Sequence, residues 1–371
     1  MDIKMKLRLL TASALLFIFQ IQYSNIYDRM QRIKDSAINV TPLEISVSSK
    51  RMESARIIMI VAYARTGSTF TGSIFREIPG AFYLCEPIRK LPYTLGKMRG
   101  NGTLSVIRRP WWHNKTKRME YSLDAINSWI SCNLSSVCMP IGIEKQSTPN
   151  VHGCCGKELF DSCLQAEEIY CQNAPVKAMK FIRLRMKFLP IFLQLYKNMK
   201  VIHLVRDPRG ILNSRLFTRS SLQKLKVHDH CIMLQEDLKH SKEILLQYPD
   251  RLLIVNYENI ADNPVRTARK MFKFAGLNFS NNIERYLKSE TSSDRDNCRF
   301  CTIRKNSSET AMKWRTQLDA NSANFIYSAC ERSNDVLGYL PLASDTAMRN
   351  FSIPSRTLVD TQQELLSSNY F

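Results

Sequence analysis

Along residues 55–340 the hydrophobic positions change repeatedly between continuous runs and helical spacing. The first run, Arg56–Ala62 (RIIMIVA), is rich in β-branched residues and bounded by turn-forming ones, which is typical of a buried parallel strand. Further strands are predicted at Ala81–Leu84, Val176–Ile182, Lys200–Val205 and Arg251–Asn256. Helices are predicted at Ser68–Phe75, Phe188–Lys197, Arg209–Leu216, Cys231–Leu246 and Asn263–Ala275. Strands that alternate with helices predict an α/β domain with a central parallel sheet.

Several segments depart from this alternation. Gly96–Gln172 is rich in cysteine, tryptophan and N-glycosylation sequons, which predicts an insertion of loops and short helices. A late helix is predicted near Asp319–Asn334, and residues 341–371 are interpreted as a polar C-terminal tail. Residues 23–54 are polar without a sustained apolar period, so they are interpreted as a stem that precedes a luminal domain at 55–340.

The N-terminus predicts entry into the secretory pathway. Residues 1–8, with Lys4, Lys6 and Arg8, precede an apolar segment at residues 9–22. This segment is shorter than the roughly 20 apolar residues of a spanning helix, so a cleaved signal peptide stays open as an alternative. No small-residue cleavage site follows the run, and the basic flank places the rest of the chain in the lumen. We therefore interpret 1–8 as a cytoplasmic tail and 9–22 as a type II signal anchor.

Cysteines and sequons agree with a luminal domain. Eleven cysteines, several of them closely spaced, are typical of an oxidising compartment, and their odd number leaves at least one thiol free or paired between chains. Cys298 and Cys301 have the spacing of half a zinc site, but no second pair completes it. Sequons occur at Asn39, Asn101, Asn114, Asn133, Asn278, Asn306 and Asn350.

The charge balance favours an anionic partner. With 53 basic and 33 acidic residues, the 371-residue chain carries a formal charge of +20. Such an excess suits nucleic acid, acidic lipid, or a phosphorylated or sulfated small molecule, while a merely basic solvated surface is the alternative. Clustering of the basic residues has to decide between them.

A first cluster follows the first strand, in the segment ARTGSTF at residues 64–70. A strand, a turn with one glycine and a hydroxyl-rich helix start form an anion-binding arrangement, because backbone N–H groups and the helix dipole both favour negative charge. Gly67 permits the tight turn, Ser68 and Thr69 cap the helix or donate to phosphate oxygens, and Arg65 adds a positive fork. No lysine follows the glycine, so this is not a nucleoside-triphosphatase loop and the anion is expected to be handled without magnesium.

A second cluster follows the strand Lys200–Val205, in the segment RDPRGILNSR at residues 206–215. Pro208 is well placed to begin a helix, and Ser214 lies eight residues after Arg206. Two helical turns would bring Ser214 beside Arg206, which predicts a second phosphate clamp. Asp207 is interpreted as a structural partner of Arg206 or Arg209.

These two segments resemble the 5'-phosphosulfate and 3'-phosphate loops of sulfotransferases. More narrowly, they resemble the Golgi carbohydrate 6-O-sulfotransferases that act on galactose, N-acetylglucosamine or N-acetylgalactosamine. The residues of the two motifs are most similar to the keratan-sulfate galactose 6-sulfotransferase branch. The resemblance covers most of residues 55–340. It continues through FYLCEP at 82–87, KAMKFIRLR at 177–185, NYE at 256–258, FAGL at 274–277, WR at 314–315 and LGY at 337–339.

The resemblance implies a single P-loop-like α/β sulfotransferase domain that binds 3'-phosphoadenosine-5'-phosphosulfate (PAPS) across its strand ends. It implies sulfuryl transfer to the 6-hydroxyl of a sugar on a glycan or proteoglycan, by a single-pass type II protein of the Golgi membrane. Neither a metal nor nucleic acid is expected, and a homodimer is allowed.

The resemblance also assigns residues. The 5'-phosphosulfate would be held by Arg65, Thr66, Gly67, Ser68, Thr69, Phe70 and Thr71. The 3'-phosphate would be held by Arg206 and Ser214 within the loop Arg206, Asp207, Pro208, Arg209, Gly210, Ile211, Leu212, Asn213 and Ser214. Arg304 and Lys305 are placed like a basic patch that closes over the donor. Cys85 and Asn213 depart from the aromatic and small residues expected at their positions.

Two residues carry the expected chemistry. Arg65 would stabilise charge on the departing bridging oxygen, and Glu86 would take the proton from the acceptor hydroxyl. In the alternative interpretation Glu86 pairs with Arg89 or Arg65. His203 is a second candidate base, but its position within a strand favours a buried structural histidine.

Other functions predict different sequence features. A kinase would need a Walker lysine and a magnesium carboxylate, which we do not find. A non-catalytic glycan-binding protein on the same fold would be expected to lose Arg65, Glu86, Arg206 or Ser214, and all four are intact. A protein-tyrosine sulfotransferase is the rival within the same class, although both loops follow the carbohydrate branch.

Overall fold

The computed structural model describes residues 55–98, 104–134, 160–216, 227–294 and 302–371. The predicted cytoplasmic tail, signal anchor and stem lie outside these ranges, as do Asn39, Asn101 and the pair Cys298 and Cys301. Within them, no helix is both long and apolar enough to cross a membrane.

Seven strands occur in the described residues: β1 (Arg56–Ala62), β2 (Phe82–Cys85), β3 (Tyr93–Met98), β4 (Leu104–Arg108), β5 (Val176–Phe181), β6 (Met199–Val205) and β7 (Leu252–Asn256). Five of them form a parallel sheet in the order β2-β5-β1-β6-β7, and β3 pairs with β4 in a separate antiparallel sheet. β2, β5 and β7 are buried along their whole length, as is typical of a sheet covered on both faces. The predicted α/β fold with a central parallel sheet is confirmed.

The helices of the described residues are α1 (Ser68–Arg76), α2 (Lys115–Ile130), α3 (Phe160–Asn173), α4 (Leu189–Leu195), α5 (Pro208–Leu216), α6 (Val227–Gln247), α7 (Tyr257–Asp262), α8 (Pro264–Ala275), α9 (Asn281–Thr291), α10 (Ser307–Met312), α11 (Trp314–Gln317), α12 (Ala320–Ala329), α13 (Glu331–Leu337), α14 (Asp345–Arg349) and α15 (Thr361–Ser367). The five helices predicted between the strands are all present, as α1, α4, α5, α6 and α8, with ends shifted by a few residues. One layer of the core forms where α1 and α8 pack together, with the rings of Phe75 and Phe272 stacked 5.3 Å apart.

Parallel pairing brings the carboxyl ends of all five strands to one edge of the sheet, which is where ligands bind in folds of this kind. Each segment singled out in the sequence begins at such an end. β1 runs into Arg65, β2 into Glu86 and β6 into Arg206, while β5 and β7 bring Arg183 and Tyr257 to the same edge. The topology therefore collects residues from five distant parts of the chain.

The single late helix predicted over Asp319–Asn334 is wrong. Two helices, α12 and α13, are separated at Cys330, whose backbone leaves the helical region at φ −107° and ψ 14°. Cys330 forms a disulfide with Cys231 of α6 across a separation of 99 residues. Helical periodicity alone does not reveal this break, because the apolar spacing on either side of Cys330 is compatible with one continuous helix.

The short helices predicted for the Gly96–Gln172 insertion are also wrong. α2 has 16 residues, and Asn114 caps it by accepting a hydrogen bond from the Lys117 amide. α3 has 14 residues. The prediction rested on the cysteines, sequons and tryptophans of this segment, which do not limit the length of a helix.

Two compact units occur among the described residues. Residues 91–98, 104–134 and 160–173 form a compact unit of their own, which a disulfide between Cys132 and Cys171 ties together. The other described residues form a second unit that contains the parallel sheet. Its C-terminal part, residues 341–371, was predicted as a polar tail and contains α14 and α15, with Met348 and Leu365 fully buried.

Loss of the Cys231–Cys330 disulfide is expected to destabilise the sheet-containing unit. Replacing both cysteines by alanine opens a loop of 99 residues in the unfolded chain. The chain-entropy model predicts that this lowers the free energy of unfolding by about 5 kcal/mol. Urea denaturation under oxidising conditions measures the loss. Cys85, a buried cysteine that forms no disulfide, provides the control, since Cys85→Ala removes a thiol without opening a loop. Equal stability of the double variant and the wild type would contradict the prediction.

Candidate active site

The first loop makes a tight turn between β1 and α1. Arg65 and Gly67 both have left-handed backbones, with φ of 77° and 76°. Thr66 is fully buried, and both its amide and its hydroxyl donate to the Tyr63 carbonyl, at 3.2 Å and 2.7 Å. Gly67 is the N-cap of α1 and provides no side chain to bond the first amides of the helix. The helix start is thereby suited to an anion.

Gly67 is required by its neighbour as well as by its backbone angle. A Cβ at this position would lie 2.2 Å from Cε2 of Tyr257, the first residue of α7. The tyrosine ring therefore packs directly against the loop. Sequence reasoning gave Tyr257 no role in the site, because nothing local connects it with a glycine 190 positions earlier.

Arg206 links the second loop to the first. Its Nη1 donates to the Arg65 carbonyl at 2.8 Å, and its Nη2 donates to the Ala311 carbonyl at 3.2 Å. Its guanidinium carbon lies 4.6 Å from the centroid of the Tyr257 ring. Arg206 Nε is buried and has no hydrogen-bond acceptor among the described residues. One donor of this arginine is therefore available to a ligand.

Ser214 lies against Arg65. Its hydroxyl accepts a hydrogen bond from Arg65 Nε at 2.9 Å. The next residue, buried Arg215, donates from Nη2 to the Ala64 carbonyl at 3.2 Å, and burial together with Arg65 lowers its pKa to about 10. The two loops predicted as separate phosphate clamps are thus joined through Arg65, Arg206 and Arg215.

The other residues of the second loop contact one another or are buried in the helix that follows. Asp207 pairs with Arg209 at 2.8 Å, one of the two partners proposed for it from the sequence. Pro208 begins α5, and Ile211, Leu212 and Asn213 are buried. A Cβ at Gly210 would lie 3.1 Å from Arg206 Nε, so glycine leaves room for that guanidinium.

Glu86 follows β2 with a left-handed backbone, φ 54°, and is 6% exposed. Its Oε1 accepts from Lys180 Nζ at 3.0 Å and its Oε2 from Arg183 Nη1 at 2.8 Å. Lys180 is buried on β5 and pairs in register with Cys85, whereas the Arg183 side chain is 40% exposed. The cationic partners differ from Arg89 and Arg65, the two considered in the sequence. The parallel register, which the sequence does not show, puts Lys180 here.

His203 lies in a buried polar network, as its place in a strand predicted. Its Nδ1 is 2.9 Å from Ser241 Oγ and its Nε2 is 3.5 Å from the Tyr63 hydroxyl. The Tyr63 hydroxyl donates to Asp237 at 2.9 Å, and Asp237 also binds Arg185. Burial lowers the pKa of His203 to about 4, so it is neutral near pH 7. Because Tyr63 also anchors Thr66, this network supports the first loop.

The predicted basic patch of Arg304 and Lys305 is less directly connected to the two loops. Arg304 donates to its neighbour's carbonyl, Ile303 O, and its amide donates to Glu290 O at 2.8 Å. Lys305 is exposed just before α10. The same helix carries Ala311, which receives the bond from Arg206, so the patch reaches the site through α10. In the described ranges, no group of three His, Cys, Asp or Glu residues is close enough to hold a metal ion.

Comparison with known proteins identifies the fold that carries this site. The model of the sulfotransferase domain matches residues 56–335, which is most of the chain. The chain belongs to the sulfotransferase family. As a sulfotransferase it is an enzyme, and the family recognised from its two loops is confirmed.

Several proteins resemble this sulfotransferase. Carbohydrate sulfotransferase 3 of Rattus norvegicus is 26% identical over 341 residues, which cover 79% of this chain and 69% of the relative. Carbohydrate sulfotransferase 1 of Homo sapiens is 27% identical over 356 residues, which cover 82% and 83%. A crystal structure of mouse sulfotransferase SULT7A1 complexed with PAP matches with a TM-score of 0.37 and 11% identity, over 78% of this chain and 89% of that one.

The contact between Gly67 and Tyr257 generates a stability prediction. Gly67→Ala is expected to lower the unfolding free energy by about 3 kcal/mol, because a left-handed alanine costs about 1–2 kcal/mol and overpacking against the ring adds about 1–3 kcal/mol. Gly80→Ala is the matched control: Gly80 has φ 73°, but the atom nearest to its Cβ would be Pro175 Cδ at an ordinary 3.4 Å. Equal losses in urea denaturation would show that the ring contact is unimportant.

The buried histidines generate a pH prediction. Burial lowers the pKa of His203 to about 4 and that of His230, also fully buried, to about 3. The unfolded chain therefore binds protons first as the pH falls, so stability should decrease below about pH 6.5, by up to about 1.4 kcal/mol per pH unit for each histidine. Urea denaturation between pH 7 and pH 4 measures the slope.

Two phenylalanine substitutions separate the contribution of buried His230 to the pH dependence of stability from that of an exposed histidine. His230→Phe should make the decline shallower, whereas His228→Phe, at an exposed position two residues earlier on α6, should leave it unchanged. An identical pH slope in the two variants would contradict the assignment.

Proposed function

We propose that this sulfotransferase transfers the sulfuryl group of PAPS to a sugar hydroxyl of a glycan or proteoglycan in the Golgi lumen. The observation that carries the proposal is the junction of two cationic loops through Arg65, at the sheet edge that also carries Glu86. The two relatives at 26% and 27% identity are named carbohydrate sulfotransferases, which supports a carbohydrate acceptor. The 6-hydroxyl of galactose, N-acetylglucosamine or N-acetylgalactosamine is the proposed target.

The residues on the two loops fit a donor with two anionic ends. Arg65, Arg206 and Arg215 bring three guanidinium groups together, while the start of α1 offers backbone amides. We assign the 5'-phosphosulfate to Arg65 and the first turn of α1, and the 3'-phosphate to Arg206 and Ser214. Arg206 Nε, buried without an acceptor among the described residues, would then gain its missing partner.

The chemistry follows from this placement. Bound PAPS would supply a sulfuryl group whose bond to the bridging phosphate oxygen breaks as the acceptor oxygen bonds to sulfur. Arg65 stabilises the negative charge left on the bridging oxygen. Glu86 takes the proton of the acceptor hydroxyl, while Lys180 and Arg183 hold its carboxylate in place through two charge-assisted hydrogen bonds.

Strand spacing supports this division of labour. β5 lies between β1 and β2, so the strand ends that precede Arg65 and Glu86 are two spacings apart. At about 4.8 Å per spacing this is about 10 Å. In the proposed arrangement the acceptor hydroxyl and the sulfuryl group would lie between these two strand ends.

A luminal location agrees with the chemistry of the described residues. The disulfides Cys132–Cys171 and Cys231–Cys330 suit an oxidising compartment. The sequon residues Asn114, Asn306 and Asn350 are exposed. We propose a type II Golgi membrane protein with residues 9–22 as its anchor.

The proposal predicts the behaviour of two variants in a transfer assay. The full chain, produced in a eukaryotic secretory pathway, would be offered radiolabelled PAPS with keratan, chondroitin, N-acetylglucosamine-terminated and tyrosine-peptide acceptors. Arg65→Ala and Glu86→Gln should each reduce the transfer rate by at least about 100-fold, the usual cost of losing charge stabilisation or a general base. Glu77→Gln, at a half-buried carboxylate at the end of α1, is the matched control and should retain activity.

Each outcome has a separate meaning. An unchanged rate in Glu86→Gln would overturn the base assignment. Label on the tyrosine peptide alone would overturn the carbohydrate acceptor. A wild type that fails to bind the product nucleotide, adenosine 3',5'-bisphosphate, would overturn the donor.

A further inference from the structure

Residues 340–371, here called the C-terminal strap, begin after the end of the matched family domain at residue 335. The strap contains α14 and α15, and five of its residues are buried: Leu342, Met348, Ser355, Thr361 and Leu365. The strap therefore lies outside the matched family domain, yet it contributes buried side chains to the core.

Two points of the strap converge on one arginine of the second loop. Arg209 Nη1 donates to the Leu340 carbonyl at 2.8 Å and Nη2 to the Ser355 carbonyl at 3.3 Å. The same side chain is 1% exposed and holds Asp207 through Nε and Nη2. A buried guanidinium that lost these carbonyls would keep unsatisfied N–H groups, so the strap and the loop depend on each other.

The strap also packs against the middle of α5. Leu212 belongs to an apolar cluster with the strap residues Leu342 and Met348 and with Trp314. The start of α5 follows Arg206, and its last turn carries Ser214. Contacts at Arg209 and at Leu212 therefore restrain the helix between the two proposed ligands of the 3'-phosphate.

A third connection runs through β7. Thr361 on α15 donates to Asn256 Oδ1 at 2.9 Å, and both groups are buried. Asn256 is followed by Tyr257, whose ring lies against the Arg206 guanidinium. The strap thus also supports the surface on which Arg206 rests.

We propose that the C-terminal strap is a positioning element for the 3'-phosphate, so that preference for a 3'-phosphorylated nucleotide depends on its contacts with Arg209, Leu212 and Asn256. This inference rests on the proposed function, in which Arg206 and Ser214 bind that phosphate. It extends the functional unit beyond the family domain as far as Thr361.

The test compares two buried leucines of the strap. Calorimetry on the full chain would measure the affinities for adenosine 3',5'-bisphosphate and for adenosine 5'-monophosphate, which lacks the 3'-phosphate. Leu342→Ala should reduce the preference for the bisphosphate at least tenfold. Leu365→Ala removes a side chain of the same size and burial outside the Leu212 cluster, so it should lower the melting temperature comparably and keep the preference.

Two further variants keep the test decisive. Leu342→Met, which conserves volume, should restore the preference. If Leu342→Ala does not fold, Thr361→Val decides, since it removes only the bond to Asn256 and should reduce the preference about threefold.

The outcomes separate the two proposals. An unchanged preference in both Leu342→Ala and Thr361→Val, or an equal loss in Leu365→Ala, would overturn the role of the strap. A wild type without preference for the bisphosphate would overturn the donor assignment itself, and with it the role of the strap.

Discussion

Two hydrogen bonds of Arg65 hold the site together. Its side chain donates to Ser214 at the end of α5, and its carbonyl accepts from Arg206 just before that helix. The first loop is therefore fixed to both ends of a helix about 150 positions later in the chain. The left-handed backbone at Arg65 makes this double contact feasible, because it turns the carbonyl and the side chain of one residue toward the same element.

The arginines of this region are buried mostly against carbonyls and rings. Arg206 lies on Tyr257, Arg209 lies 4.1 Å from the Trp314 ring, and Arg315 donates to three carbonyls of the strap. Carbonyls satisfy N–H groups without cancelling their charge, in contrast to the Asp207 carboxylate that neutralises Arg209. Burying charge in this way is costly. A bound anion would offset part of that cost, which gives the excess of basic residues a physical purpose.

The position of β5 in the sheet separates Glu86 from the two cationic loops. Glu86 is held by Lys180 and Arg183, which both come from β5 and the turn after it. β5 separates β1 from β2 in the sheet, so the strand that lies between the two halves of the site also provides the groups that orient the proposed base. Strand order thus separates the strand ends that carry Arg65 and Glu86 and places Lys180 beside Glu86.

The amino-acid sequence by itself determined the five strands of the parallel sheet and the two loops, but not the separate pair β3 and β4. A β-branched run such as Arg56–Ala62 and a glycine with hydroxyls before a helix are local patterns, and local backbone preferences suffice to predict them. The late helix was misjudged at Cys330, where the backbone leaves the helical region and a disulfide joins Cys231.

Only the tertiary structure decided which residues meet. Parallel register placed Lys180 beside Glu86, packing placed Tyr257 under Gly67, and the strap reached Arg209 from the far end of the chain. Each of these contacts joins residues more than 90 positions apart. Periodicity and spacing report only on neighbours along the chain, so contacts at such separations are set by strand order and close packing.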